Sequence, residues 1–194
     1  MPQGYEVRHE GPAIICGSAP SVFVDLEKAR QLRPGATILG VNAAAGMIGE
    51  IEHIWTQHNN LTHIYREAAN RPIKIHARSG IMGNDVDYWW QEMVGIKGSS
   101  GLAGALWAKL MGFDEVIMAG IPLSTSEQDY SDKYLPDIKK YFPDRTAGSF
   151  ATEASILNWQ QFVRLYKKQG KADGIYSMSG YTRKVFGPPP GLED

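Results

Sequence analysis

A chain of 194 residues is long enough for one domain with a sizeable core. Its formal charge of −1, from 20 basic and 21 acidic residues, leaves no electrostatic footprint for nucleic acid or an acidic membrane surface. The hydrophobic share of 43% is that of a globular protein, and the single cysteine, Cys16, excludes an internal disulfide.

The start, Met1-Pro2-Gln3-Gly4, lacks the charged and apolar regions of a signal peptide, and no stretch is apolar enough to span a bilayer. The expectation is a soluble cytoplasmic protein with no membrane partner. The first predicted strand, residues 13–16, breaks at Gly17-Ser18-Ala19-Pro20-Ser21 before a helical stretch. Small residues let backbone amides approach an anion closely, and the helix that follows adds unpaired donors and the positive end of its dipole. The loop therefore suits a nucleotide phosphate, and equally an ordinary strand-to-helix turn. Cys16, at the end of a buried strand, reads as a packed thiol rather than a nucleophile.

Ser21 is placed to cap a helix over 22–32 that ends near Arg33-Pro34-Gly35. A strand over 36–41 completes a βαβ unit and delivers Asn42 to the same sheet edge as the first loop. Short strands over 52–56 and 72–77 follow, separated by a helical stretch over 61–70. Such alternation predicts a parallel α/β sheet. Residues 80–98 are irregular, with Gly83-Asn84 as a turn and Tyr88-Trp89-Trp90 as an expected part of a binding wall.

A second small-residue loop, Lys97-Gly98-Ser99-Ser100-Gly101, opens a helix over 100–111 whose Gly101, Ala103, Gly104, Ala105 and Ala108 permit close packing or close approach of a ligand. The fifth predicted strand, 115–120, ends in Ile121-Pro122-Leu123-Ser124. From 125 to 150 the composition turns to Asp, Lys, Tyr and Pro, with Tyr130, Tyr134 and Tyr141; this reads as a lid over the site or as a contact in a homo-oligomer. A helix over 152–168 packs Ile156, Trp159, Val163 and Tyr166, and a last strand over 175–178 precedes an extended tail at 187–191.

The order of these pieces resembles the small bacterial sialyltransferases: strand, Gly17-Ser18-Ala19-Pro20-Ser21, helix, strand with Val41-Asn42, strand with Trp55, Ser99-Ser100-Gly101 before an alanine-rich helix, and Gly112-Phe113 before strand 115–120. It is similar also to the hydroxymethylpterin pyrophosphokinase-like domains of motility-associated glycosylation proteins, and to phage-encoded relatives of both. The resemblance covers roughly residues 13–123. Together with the length, the alternation of elements and the composition of 125–150, it points to a single Rossmann-like α/β domain over 1–194, a mostly parallel sheet flanked by helices with an insert or lid after the fifth strand. It also implies a nucleotide-sugar pocket lined by Gly17, Ser18, Asn42, Ser99, Ser100 and Gly101, with Ala19 and Ser21 completing the first loop. The chain departs from that family at Ser18-Ala19, where an Asn is usual, and at Ile121-Pro122, where an Asp is usual. The family's catalytic histidine has no counterpart in 143–154, where Asp144, Arg145, Ser149 and Glu153 stand.

A transferase needs a base for the acceptor hydroxyl and a means of stabilising the leaving phosphate. His58, just after a predicted strand, has the side chain for the base, although a loop histidine also serves simply to bond backbone. His76 is a weaker alternative. Asp85-Val86-Asp87 matches the Asp-x-Asp pattern that holds Mg²⁺ and nucleotide phosphates, and Mg²⁺ is the one cofactor the sequence suggests. Arg78, Lys97, Arg145 and Arg183 are the loop cations placed to neutralise a diphosphate. There is no Gly-x-Gly-x-x-Gly fingerprint, no Walker loop and no Cys/His cluster. The leading expectation is a glycosyltransferase using a nucleotide sugar and an unidentified acceptor. The alternatives are an Mg²⁺-dependent diphosphokinase acting on a small hydroxymethyl compound, and a non-catalytic nucleotide-binding module.

Overall fold

The computed structural model describes residues 5–79, 85–124 and 153–192. Its strands are β1 (Pro12–Cys16), β2 (Thr37–Val41), β3 (His53–Thr56), β4 (Lys74–Arg78), β5 (Tyr88–Trp90), β6 (Glu115–Ala119) and β7 (Ile175–Ser177). All pair in parallel in one sheet of order β5-β4-β3-β2-β1-β6-β7. Parallel strands are covered on both faces, which is why β1 and β6 read as near-continuous apolar runs.

The period-two pleat divides each strand between two cores. Ile14, Cys16, Ile54, Ile75 and Ile117 pack against α1 (Val22–Leu32), α2 (Ala44–Met47) and α3 (Thr62–Ala69). Ile15, Leu39, Val41, Trp55 and Met118 face α4 (Ser100–Met111), joined by Val163 and Tyr166 of α5 (Glu153–Lys168) and Phe186 of α6 (Gly180–Phe186). The small residues of α4 let it lie close on the sheet: a side chain at Gly104 would meet Ile15 and Val41, each at 2.9 Å.

The chain runs outward from β1 through β2, β3, β4 and β5, then returns to place β6 on the other side of β1. The strand order therefore reverses between β1 and β6, and the carboxyl ends of these two strands form the crevice where open α/β sheets hold ligands.

The Rossmann-like α/β expectation holds, with every strand parallel. Tyr88-Trp89-Trp90 forms an edge strand, and Trp90 is buried beneath α4 with its indole on His76. A three-residue strand is too short to show alternation, so β6 stands where the fifth strand was expected. Helix α6 was likewise hidden by its shortness. The tail at 187–191 is docked on the domain: Pro189 is buried and the Pro190 carbonyl accepts from Arg33 Nη2 at 3.2 Å. The lid over 125–150, with Tyr130, Tyr134, Tyr141, Asp144, Arg145 and Ser149, lies outside the described residues, as does the turn at Gly83-Asn84.

Candidate functional site

Parallel pairing carries the two small-residue loops, Asn42 and His58 to one edge of the sheet, the carboxyl edge. The β1–α1 loop arrives there already occupied. The Gly17 amide donates to the Ala119 carbonyl at 2.8 Å, Ala19 to Gly120 at 3.3 Å, and Val22 to Ala19 at 2.9 Å. Gly17 has no side chain because the Gly120 carbonyl fills the space a Cβ would need; Gly120, at φ +65°, is likewise pressed onto Val22. These glycines serve the contact between two strand ends.

Asp25 locks that contact. It stands in the first turn of α1, is 6% exposed, and its Oδ2 accepts from the Gly120 amide at 2.9 Å and from Ser179 Oγ at 2.7 Å. Ser21 makes no side-chain cap; its Oγ lies 3.4 Å from Ser179 Oγ. The first loop, the end of β6 and the start of α6 are thus drawn around one carboxylate.

The start of α4 differs. Ser99 is a true N-cap, its Oγ accepting from the Leu102 amide at 3.1 Å while its carbonyl takes the Ala103 amide at 3.0 Å. The amides of Ser100 and Gly101 have no acceptor among the described residues, and the first turn of α4 carries no acidic residue. Gly101 fits against Ile121, whose Cγ2 would lie 2.5 Å from an added Cβ. That close fit brings the helix end to the crevice.

Asn42 sits at the end of β2 with φ +54°, a left-handed conformation that asparagine tolerates better than most residues. Its amide donates to the Trp55 carbonyl at 2.9 Å, and its Oδ1 accepts from buried Thr56 Oγ1 at 2.9 Å. Thr56 Oγ1 in turn accepts from the His58 amide at 2.9 Å, so Asn42 and the exposed His58 are joined through one hydroxyl. The side-chain NH₂ of Asn42 has no acceptor among the described residues. Arg78 ends β4 on the face of α4, two residues beyond His76, and its buried Nε has no partner among the described residues.

Of the predicted site residues, Gly17, Ser18, Ala19, Ser21, Asn42, His58, Ser99, Ser100 and Gly101 share the carboxyl edge. Asp85 and Asp87 do not. They precede β5 at the opposite, amino edge, where Arg66 Nε holds Asp85 at 2.8 Å, Arg66 Nη2 holds Asp87 at 2.8 Å, and Asp87 also accepts the Ile75 amide at 2.6 Å. Their Asp-x-Asp spacing serves an arginine clamp that starts the edge strand. His76 is no base at the edge either: it is fully buried, and burial pushes its pKa well below the ordinary imidazole value. Cys16 is buried as expected, and burial pushes its thiol pKa up.

Sequence reasoning missed Asp25 and Thr56. An acidic residue in a first turn is ordinarily read as a partner of the helix dipole, and a threonine closing a strand as a pleat residue. Among the described residues, no group of histidine, cysteine and acidic side chains is arranged to hold a metal ion, and no helix is long and apolar enough to cross a membrane. Comparison of the chain with protein-family models, with curated proteins and with solved structures found no match.

Proposed function

We propose that the protein binds a nucleotide across the carboxyl edge, in the first instance a nucleotide sugar, and transfers its group to an acceptor, with the phosphates at the start of α4. The observation that carries this reading is the contrast between the two helix ends. In the first loop the Gly17 and Ala19 amides are spent on the carbonyls of Ala119 and Gly120, whereas the Ser100 and Gly101 amides have no acceptor among the described residues. Magnitudes favour the same side. A phosphate charge on the first turn of α1 would sit beside the Asp25 carboxylate, and two like charges roughly 6 Å apart repel by about 3 kcal/mol at an effective dielectric near 20. The dipole of α1 offers only about 0.3–1 kcal/mol in return.

At α4 the phosphate instead meets the free amides of Ser100 and Gly101, and the Asn42 NH₂ and the Arg78 guanidinium are further donors along the same carboxyl edge. The carboxylate side of the crevice, with Asp25, Ser179 and Ser21, instead suits the hydroxyls of a ribose or sugar. His58, on the Asn42–Thr56 chain, is the residue we assign to deprotonation of the acceptor hydroxyl. An Mg²⁺-dependent diphosphokinase reading loses the carboxylates it relied on, since Asp85 and Asp87 face Arg66 at the far edge.

The test is a thermal-shift screen of the purified protein against nucleoside mono-, di- and triphosphates and nucleotide sugars, with and without Mg²⁺, followed by product analysis. Stabilisation by a nucleotide sugar without metal, and its conversion in the presence of acceptor alcohols, is the expected result. Binding with the ligand recovered unchanged would leave a binding module, and no shift with any nucleotide would remove the reading.

A further inference from the structure

At the amino-edge side of the α4 face, away from the proposed nucleotide site and independent of it, the segment 5–11 lies against β3, β4 and β5 over a pair of histidines. Trp90 Nε1 donates to His76 Nδ1 at 3.0 Å. An indole N–H is only ever a donor, so the His76 proton sits on Nε2. That nitrogen lies 2.9 Å from His53 Nδ1, which therefore accepts. Both rings are neutral in this arrangement. A proton added at His76 Nδ1 faces the Trp90 N–H, and one added at His53 Nδ1 faces the His76 N–H, so either addition breaks a hydrogen bond.

Tyr5 closes the pair from above. It is 4% exposed, with its ring edge-on to His76 at 5.2 Å and to Tyr88 at 4.8 Å, and 5.8 Å from Trp90. His9 bonds the Tyr5 hydroxyl at 2.6 Å and stacks on Phe113 at 4.7 Å. Among the described residues, two backbone hydrogen bonds tie segment 5–11 to the rest, from the His9 amide to Met111 and from the Asp114 amide to Gly11. The charged groups around the pair divide. Glu52, just ahead of β3, favours a proton on His53, as does Asp87 ahead of β5. On the other side Lys74 of β4 and His9 of the segment oppose one on both rings. The pull of Asp87 is already shared with Arg66 and with Lys74, 4.0 Å away. From α4 the neighbour is the neutral Trp107, 4.8 Å from His76, and Tyr5, pushed up to about 12 chiefly by burial, stays neutral. Burial is the largest influence on both imidazoles and holds them below the ordinary value.

We propose that the His53–His76 pair is an acid-operated latch on segment 5–11: below neutral pH one proton enters the pair, its hydrogen bond breaks, and the segment lifts from β4 and β5 while the sheet remains intact. Lifting is the least costly response. It admits water to the cation at the expense of Tyr5 and two backbone bonds, whereas the central strands are held by ladders on both sides.

The test is NMR of the full chain between pH 7.5 and 5.0. It follows contacts of the Tyr5 ring with Trp90 and the exchange of the His9 amide corrected for intrinsic rate, with the β1–β2 amides as internal reference. The latch predicts loss of the Tyr5–Trp90 contacts and at least a tenfold fall in His9 protection at pH 5.0, with β1–β2 protection retained. In the double variant His53→Gln/His76→Gln, whose amides replace the bonds without titrating, the change should be absent. Tyr5 contacts that persist at pH 5.0, or loss of all regions together, would overturn the proposal from the wild-type data alone, even if the double variant fails to fold.

Discussion

Asp25 is the side chain on which three loops of the carboxyl edge meet, and its partners Gly120 and Ser179 stand 95 and 154 residues away in the chain. Removing it leaves the buried Gly120 amide without an acceptor and the half-buried Ser179 hydroxyl with only Ser21 Oγ, 3.4 Å away. Asp25→Ala is therefore expected to cost about 3 kcal/mol in urea unfolding, in line with the worth of hydrogen bonds to a charged group. A loss below about 0.5 kcal/mol would show the carboxylate is not needed there. Gly17→Ala tests the same junction from the other side. The added methyl meets the Gly120 carbonyl, so stability should fall by about 2 kcal/mol whether or not any nucleotide is present. Neither role was legible in the sequence. A glycine before a helix looks the same whether it makes room for a phosphate or for a carbonyl, and only the sheet order brings Gly120 beside Gly17.

At the scale of elements, the strands with continuous apolar runs and the helices with regular stripes could be read directly, because burial on both faces leaves a local trace. The edge strand β5 left none. Its anchors, the Arg66 clamp on Asp85 and Asp87 and the indole bond from Trp90 to His76, come from α3 and β4. The same displacement decides what the two aspartates do. Asp85→Asn/Asp87→Asn should lower stability modestly, by about 1 kcal/mol for pairs this exposed. It should also leave any nucleotide-induced thermal shift unchanged. Arg78→Ala should do the reverse, reducing that shift at least fivefold in apparent affinity while changing the ligand-free melting temperature little. An aspartate variant that abolished the shift would return the phosphate to the amino edge.

For the molecule as a whole, the buried imidazoles set the response to acid. His53 and His76 have pKa values below those of the unfolded chain, so below about pH 6.5 the unfolded state binds more protons than the folded one. Stability is then complete above that pH and declines as pH falls from the unfolded value toward the folded one. The fully buried His76 contributes a slope of about 1 kcal/mol per pH unit. Urea unfolding at a series of pH values reads this slope directly, and a flat profile between pH 7 and 5 would contradict it. The opposite, carboxyl edge carries the central claim, that donors at the start of α4 rather than the β1–α1 loop receive the phosphates of a nucleotide. The most direct test is a titration of the ¹⁵N-labelled protein with the nucleotide sugar that gives the largest thermal shift, following backbone amides and the Asn42 side-chain NH₂. The claim predicts that Ser100, Gly101 and Asn42 move first and furthest. It is contradicted if Gly17 and Ala19 move instead, or if no amide at this edge responds.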